Sequence, residues 1–202
     1  MVSDVASTDR GGRARSPWLV SATQKLENLQ ALDSVARPVQ HVVQAALASS
    51  GREGLLRGRP IGHALHPLLT DAPLGAWMSA SALDVVGGRT ARPAARLLIG
   101  LGVLTSVPTA LTGLAEWAAT DGRDRRVGLL HAGVNLLALN AYIGSWSARG
   151  RDAHAFGVAL AVTGGLLVTV SGYLGGHLTV ARKVGSRDPA FTVTDDDPAA
   201  AI

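Results

Sequence analysis

The amino-acid sequence predicts an all-α fold: a four-helix transmembrane bundle of up-and-down topology, preceded by an N-terminal amphipathic helix. Hydrophobic residues make up 47% of the 202-residue chain and charged residues only 17%, whereas soluble domains carry about 25% charged residues. Four apolar segments approach the roughly 20 residues that a helix needs to cross a bilayer core of about 30 Å. The loops between them are short and charged, which favours antiparallel packing of successive helices.

The chain divides into four parts by composition. Residues 1–20 are rich in Ser, Gly and Arg and are expected to be disordered, and residues 183–202 are expected to form a flexible acidic tail. Between them, residues 21–62 are predicted to hold the amphipathic helix and a linker, and residues 63–182 the four-span membrane domain. No apolar run directly follows the arginines near the N-terminus, which disfavours a cleaved signal peptide.

The amphipathic segment covers about residues 21–49. Apolar residues recur there every three or four positions, a spacing that makes one helix face apolar. Pro38 is expected to kink or divide this helix, because proline lacks the main-chain donor. The polar residues of the other face favour a helix on the membrane surface or against the bundle, and a soluble helical hairpin is the alternative.

The four predicted spans cover about residues 68–86, 97–119, 127–148 and 155–178. The first span is the least apolar because it contains Asp71, Pro73 and Asp84. Taken alone, it would also suit a buried helix of a soluble protein. The other three spans favour the membrane bundle.

Basic residues indicate the orientation. Nine of them lie near the ends joined by the N-terminus, the second loop and the C-terminus: Arg52, Arg57, Arg59, Arg123, Arg125, Arg126, Arg182, Lys183 and Arg187. The opposite ends have five: Arg89, Arg92, Arg96, Arg149 and Arg151. Because short cytoplasmic loops carry an excess of Lys and Arg, this bias predicts a multi-pass protein of the cell membrane with both termini in the cytoplasm.

Ionisable side chains gather at that same side when the spans are folded back and forth. The candidate metal-ligating set is His63, His66, Asp71, Glu116, His131 and His177. Glu116 follows Gly113 at a spacing of three and so shares its helix face, and His131 and Asn135 are four apart and also share a face. Ionisable groups within membrane spans are costly and usually mark sites, pathways or paired interior contacts.

Four interpretations of this cluster remain open at the level of sequence. His66, His131 and His177 could supply axial ligands to a haem b, with arginines at the same side facing its propionates. The histidines and carboxylates could instead bind a non-haem metal such as zinc or iron. They could form a proton or solute path. In the fourth interpretation they form an unliganded network that holds helix ends together in a structural or regulatory membrane protein.

Composition excludes several other functions. The chain has no cysteine, which excludes disulfides, thiolate metal sites and cysteine-ligated iron–sulfur clusters. Its net charge is +4, but the arginines flank apolar segments and form no continuous basic face, so nucleic acid is not an expected partner. No hydrolase, transferase or nucleotide-binding motif is present, which disfavours an enzyme.

Four separated motifs resemble one protein family. They are the run GHALHPLLTDAPLGAWMSASALDVVGG at residues 62–88, and the segments TGLAEW, GLLHAGVNLLALNAY and SGYLGGHL that follow it in order. Together they resemble the DUF2231 family of bacterial membrane proteins over about residues 30–187, which implies an integral membrane protein with four spans. Some members of that family continue into a Rieske iron–sulfur domain, which implies an electron-transfer setting. This chain ends instead in DPAFTVTDDDPAAAI, without cysteine, so the resemblance implies a separate redox or Rieske-type partner.

Overall fold

The computed structural model describes residues 17–191, and the expectations for residues 1–16 and 192–202 lie outside this range. Its regular elements are helical, and an isolated antiparallel bridge joins His63 to Arg187. The α-helices are α1 (Trp18–Asn28), α2 (Asp33–Ser50), α3 (Glu53–Leu56), α4 (Leu65–Val86), α5 (Arg92–Trp117), α6 (Gly122–Arg149) and α7 (His154–Gly176). A π-helical turn, His177–Ala181, extends α7.

Helices α4 to α7 are the four longest helices of the described residues, and each packs against the next along the chain; we call this set the bundle. Within residues 17–191, three helices are long and apolar enough to cross a membrane: α5, α6, and α7 with its π-helical turn. Helix α4 has 22 residues but is not among these three, in keeping with Asp71 and Asp84 in its sequence. The fourth membrane span therefore stays a prediction.

The N-terminal segment forms two helices, and the division does not fall at Pro38. It falls between α1 and α2, at a short 3₁₀ turn formed by Gln30–Leu32, while Pro38 lies inside a continuous α2. The break places Asp33, the first residue of α2, against two arginines of α6. The Asp33 carboxylate accepts hydrogen bonds from Arg126 at 2.7 Å and from Arg125 at 3.0 Å. These bonds, with that from Arg126 the stronger, hold the pKa of Asp33 well below its usual range.

The C-terminal segment folds back onto the bundle. Residues 183–191, which we call the strap, were expected to belong to a flexible tail. Within the strap, the Asp188 N–H donates to the Gly62 carbonyl at 2.9 Å, and the Phe191 ring stacks on His63 with a centroid separation of 4.7 Å. The strap lies at the end of the bundle that carries the α5–α6 loop, which we call the near end.

The bundle consists of two similar helical hairpins, α4–α5 and α6–α7. Residues at matching positions in α4 and α6 stand 65 residues apart. Most of them share chemical character, and one matching pair, Asp84 and Arg149, has opposite charges. The matching pairs are His66 and His131, Leu74 and Leu139, Trp77 and Tyr142, and Asp84 and Arg149 in the first helices, and Gly102 and Gly164, Thr109 and Ser171, and Gly113 and Gly175 in the second. The two hairpins run in the same direction, which is the arrangement of parallel repeats in membrane proteins.

Three matching pairs contact each other across the bundle: His66 with His131, Trp77 with Tyr142, and Asp84 with Arg149. A residue that contacts its own equivalent lies on a twofold axis, as in an isologous interface. The contacts therefore define an approximate twofold axis along the bundle. Eleven residues separate His66 from Trp77, so the histidine and aromatic pairs lie about 16 Å apart at a helical rise of 1.5 Å per residue.

The two halves of the bundle along this axis differ in packing. The Trp77 and Tyr142 rings stack in parallel with centroids 3.9 Å apart, and both are buried. Together with Ala80, Ile99 and Ala161 they form the main buried core. The half that extends from this stack to the near end contains a cavity, with smaller buried clusters around Ala115 and Leu174.

Candidate ligand-binding cavity and histidine pair

A mainly apolar cavity of about 600 Å³ opens between the two hairpins. Its lining runs from Ala64 and Gly185 at the near end to Trp77, whose ring stacks on Tyr142. Pockets for small molecules and cofactors commonly have volumes of about 300–1,000 Å³ and a few polar groups in an apolar wall. This cavity has that character, and its polar groups include His66, His131 and Glu116.

His66 enters the cavity from the start of α4. Its Nδ1 lies 2.9 Å from the Thr109 carbonyl oxygen on α5. Because a carbonyl can only accept, Nδ1 carries the proton, and in the neutral ring Nε2 keeps its lone pair. Gly113, one turn further along α5, leaves room for the ring, since a Cβ there would lie 2.8 Å from His66 Cε1. Within residues 17–191, His66 Nε2 has no hydrogen bond.

His131 repeats this arrangement on α6. Its Nδ1 lies 2.9 Å from the Ser171 carbonyl oxygen on α7, which again places the proton on Nδ1. Gly175 stands where Gly113 stands in the first hairpin, and a Cβ there would lie 2.9 Å from His131 Cε1. The two histidines differ at both ring nitrogens. The Ser171 hydroxyl also lies 2.9 Å from His131 Nδ1, and the Asn135 side-chain amide donates to His131 Nε2 at 3.1 Å.

The two imidazole rings face each other across the twofold axis. Their centroids are 6.1 Å apart and their planes are nearly perpendicular, at 89°. Two imidazoles that share one metal through nitrogens at about 2.0–2.1 Å have centroids roughly 6 Å apart. The separation therefore suits a single metal atom held between them. A carbonyl bond at Nδ1 is also the usual second contact of a metal-binding histidine, because it fixes the tautomer and the ring orientation.

Glu116 lies in the cavity wall nearer the strap. Its Oε2 accepts hydrogen bonds from the Ser186 N–H and hydroxyl, both at 3.0 Å, and lies 3.9 Å from Arg57 Nε. Its Oε1 is buried without a hydrogen-bond partner in the part of the chain that the structure describes. Glu116 therefore holds the strap across the near end of the cavity and leaves one carboxylate oxygen free.

The structure separates the other sequence-predicted site residues from the cavity. His177 Nε2 bonds Glu27 of α1 at 2.8 Å, His63 stacks on Phe191, and Asp71 is exposed on α4. None of these three lines the cavity. Within the described residues no group of three or more His, Asp or Glu side chains is placed to hold a metal ion.

Several residues of the site were not singled out from the sequence. Thr109 orients His66 through its main-chain carbonyl, whereas Ser171 contacts His131 Nδ1 through both its carbonyl and its hydroxyl, each at 2.9 Å. Trp77 lines the cavity and stacks on Tyr142, yet each resembles an ordinary core aromatic. The signal that could have found all four is the internal repeat, because each follows a histidine or precedes a glycine at the same spacing in both hairpins.

The fold and the cavity define a class of protein: a multi-pass α-helical membrane protein with a ligand-sized space between two similar hairpins. The chain belongs to the DUF2231 family of predicted membrane proteins, whose model matches residues 62–188. The match begins just before α4 and ends in the strap, so it covers the bundle and its cavity. No curated protein and no solved structure matches the chain.

Proposed function

We propose that this membrane protein binds haem b in the cavity between its two hairpins, where His66 and His131 are the residues that would hold it. The observation that carries the proposal is the histidine pair itself. Two rings from different hairpins stand 6.1 Å apart, and each has Nδ1 directed to a main-chain carbonyl. His177, which the sequence also offers as an axial ligand, is left out of the proposed site because its Nε2 is bonded to Glu27 outside the cavity.

The surroundings of the histidine pair are suited to a flat, mainly apolar ligand. The cavity wall is mainly apolar and reaches Trp77, which is buried and stacks on Tyr142. The approximate twofold axis passes between the histidines, so the site presents two similar walls. A planar macrocycle with two axial positions matches walls of that kind. Gly113 and Gly175 add the space that the histidine rings need beside their neighbouring helices.

Haem supplies one-electron chemistry when it is bound. The residues of this chain would position it: Thr109 and Ser171 orient the imidazoles, and the apolar wall limits access of water. Electron exchange would take place with a separate redox protein, and the excess of arginines near the cavity mouth supports an orientation of that mouth toward the cytoplasm. In this proposal the protein is a redox subunit rather than an enzyme with its own substrate.

An absorption spectrum of the detergent-purified protein, expressed with ample haem, tests the proposal directly. We expect a Soret band in the wild type and its loss in the double variant His66→Ala/His131→Ala. His177→Ala is the matched control, because it removes a histidine at the same end of the bundle but outside the cavity, and it should keep the band. Colourless wild-type protein, or equal loss in the control, refutes haem binding at this pair.

One observation favours a second candidate, a structural or regulatory protein with an unliganded polar cluster. His131 has a hydrogen-bond partner at each ring nitrogen, as a histidine that only links helices would have. In that case the double variant lowers the melting temperature of a colourless protein. Metal analysis of the same sample tests the non-haem alternative.

A further inference from the structure

We propose that α2 is an interfacial helix, which lies in the membrane plane with one side in the bilayer at the boundary between lipid headgroups and acyl chains. That side, which we call the apolar flank, consists of Val35, Val39, Val42 and Ala46. Spacings of four, three and four place these residues on one side of the helix, and all of them are exposed. The partner that we assign to the apolar flank is the lipid bilayer itself, so the proposal is independent of what the cavity binds.

Helix α2 crosses the near end of the bundle instead of running along it. At its start, the Asp33 carboxylate binds Arg126 near the beginning of α6. Eleven residues further on, the Gln44 side-chain amide donates to the Ala118 carbonyl at the end of α5, at 2.8 Å. This stretch of α2 is about 16 Å long at a helical rise of 1.5 Å per residue, and it passes from one span to the next without leaving the near end. Helix α2 therefore lies across the bundle axis, in the plane of a membrane that the bundle crosses.

The contacts of α2 determine which of its flanks faces the membrane-spanning part of the bundle. Arg37, His41 and Gln44 are exposed on the flank opposite to the apolar one, and Gln44 bonds the carbonyl at the very end of α5. Val43, on the side of the apolar flank, packs instead against a buried cluster that reaches Ala115, about one turn deeper in α5. The polar flank is therefore directed away from the membrane and the apolar flank into it, as in other amphipathic helices that lie in a membrane interface.

The position of the opposite membrane boundary supports this placement. At the far end of the bundle, the Arg96 guanidinium lies 4.9 Å from the ring centroid of the exposed Trp146. Tryptophan and arginine are common side chains at the surface of a membrane. Ala118 follows Arg96 by 22 residues, or about 33 Å of helix, and the hydrocarbon core of a bilayer is about 30 Å thick. A membrane with one boundary at Arg96 and Trp146 therefore has its other boundary at α2.

This placement sets the depth of the cavity in the bilayer. Glu116, which bonds the strap residue Ser186, lies at the end of α5 and so at the level of α2. His66 bonds the Thr109 carbonyl, and Thr109 precedes Glu116 by seven residues, so the histidine pair lies about 10 Å deeper. The mouth of the cavity is therefore at the level of the lipid headgroups, and the histidine pair is within the hydrocarbon region.

Fluorescence quenching of labelled single-cysteine variants in phosphatidylcholine vesicles tests the proposal, because the natural chain has no cysteine. Val35→Cys, Val39→Cys and Val42→Cys place the label on the apolar flank, and Arg37→Cys and His41→Cys are the matched controls on the polar flank. All five positions are exposed, so the label displaces no buried side chain. We expect nitroxide groups on the acyl chains to quench the apolar-flank labels more than the controls, and aqueous iodide to reverse this order.

Two results would overturn the proposal. Equal quenching of both flanks by iodide, with little quenching by the lipid nitroxide, places α2 in water. Weak quenching of the apolar flank by both reagents shows that protein, such as a second copy of the chain, covers it. Haem binding does not affect the outcome, because each apolar-flank label is compared with a label on the same helix, so coloured and colourless protein should give the same pattern.

Discussion

The ion pair between Asp84 and Arg149 gives the sharpest test of the bundle's internal symmetry. The two residues are equivalent in the two hairpins and meet at the far end, beyond the aromatic stack. The guanidinium binds the carboxylate with two hydrogen bonds, of 2.7 and 2.5 Å. The Arg149 side chain is 1% exposed and that of Asp84 is 7% exposed. We predict that removing either partner is strongly destabilising, whereas removing both is not.

The magnitude follows from what each variant leaves behind. Asp84→Leu leaves a buried guanidinium whose remaining side-chain bond is to the Ser145 hydroxyl at 3.1 Å. Arg149→Met leaves a buried carboxylate with the His154 imidazole Nε2 3.9 Å away. Breaking a buried pair in this way costs about 3–5 kcal/mol, while replacing both partners by apolar residues is about neutral or stabilising. Asp84→Leu should be the more severe, because His154 can still partner the carboxylate when it is protonated.

Thermal unfolding in detergent, followed by size-exclusion chromatography of the heated samples, measures these differences. The set comprises Asp84→Leu, Arg149→Met, their double variant, and the exchange variant Asp84→Arg/Arg149→Asp. Arg89→Met is the matched control, because Arg89 is exposed and forms no ion pair within residues 17–191. We expect the control and the double variant to unfold near the wild-type temperature and the single variants well below it.

The exchange variant tests the twofold axis itself. If the two positions are equivalent, arginine at 84 and aspartate at 149 re-form the pair, and the exchange variant is more stable than either single variant. The reasoning is refuted if Asp84→Leu and Arg149→Met lose as little stability as Arg89→Met. It is refuted also if the double variant loses the sum of the two single losses, because the residues would then not be coupled.

Two further predictions concern packing and pH. Gly102→Ala places a methyl group against the buried Trp77 indole and should destabilise the bundle by about 1–3 kcal/mol. Gly133→Ala is the control, because no described atom lies near its added Cβ, and it should match or exceed wild-type stability in the same thermal melts. Equal effects of the two substitutions would contradict the packing argument. Because the pKa of Asp33 is lowered in the folded protein, its contribution to holding α2 on the bundle is complete above about pH 4 and is lost as the pH falls below that value through the lowered pKa. Limited proteolysis between α1 and α2 should therefore accelerate in acid in the wild type, and it should be fast already at neutral pH in Asp33→Asn. A cleavage rate that is independent of pH in both proteins would contradict the role of Asp33 in holding α2 on the bundle.

Much of the bundle could be predicted from the sequence because membrane helices are encoded locally. Length, hydropathy and short loops place α5, α6 and α7 close to the predicted spans, and the family membership agrees with a membrane protein. The division of the N-terminal helix could not be predicted in the same way. Pro38 is a strong local signal, but the break occurs at Gln30–Leu32, where tertiary contacts of Asp33 with α6 set the position of α2.

The candidate site was predictable only in part. The alternation of spans predicts that ligand-capable residues gather at one end, and among them His66, His131 and Glu116 line one cavity. The same reasoning does not predict how each helix is rotated about its own axis. It therefore included His177, which faces α1 and pairs with Glu27, and Asp71, which is exposed.

The sequence by itself determined that this is a helical membrane protein whose spans alternate in direction, because hydrophobicity and loop length act within each segment. It also determined which ionisable groups share an end of the bundle. Only the tertiary structure decided which of these ionisable side chains contact each other. Those contacts depend on how each helix is rotated about its axis and on which neighbouring side chain its glycines leave room for. The pairing of His66 with His131 arises from packing between hairpins that lie far apart in the chain.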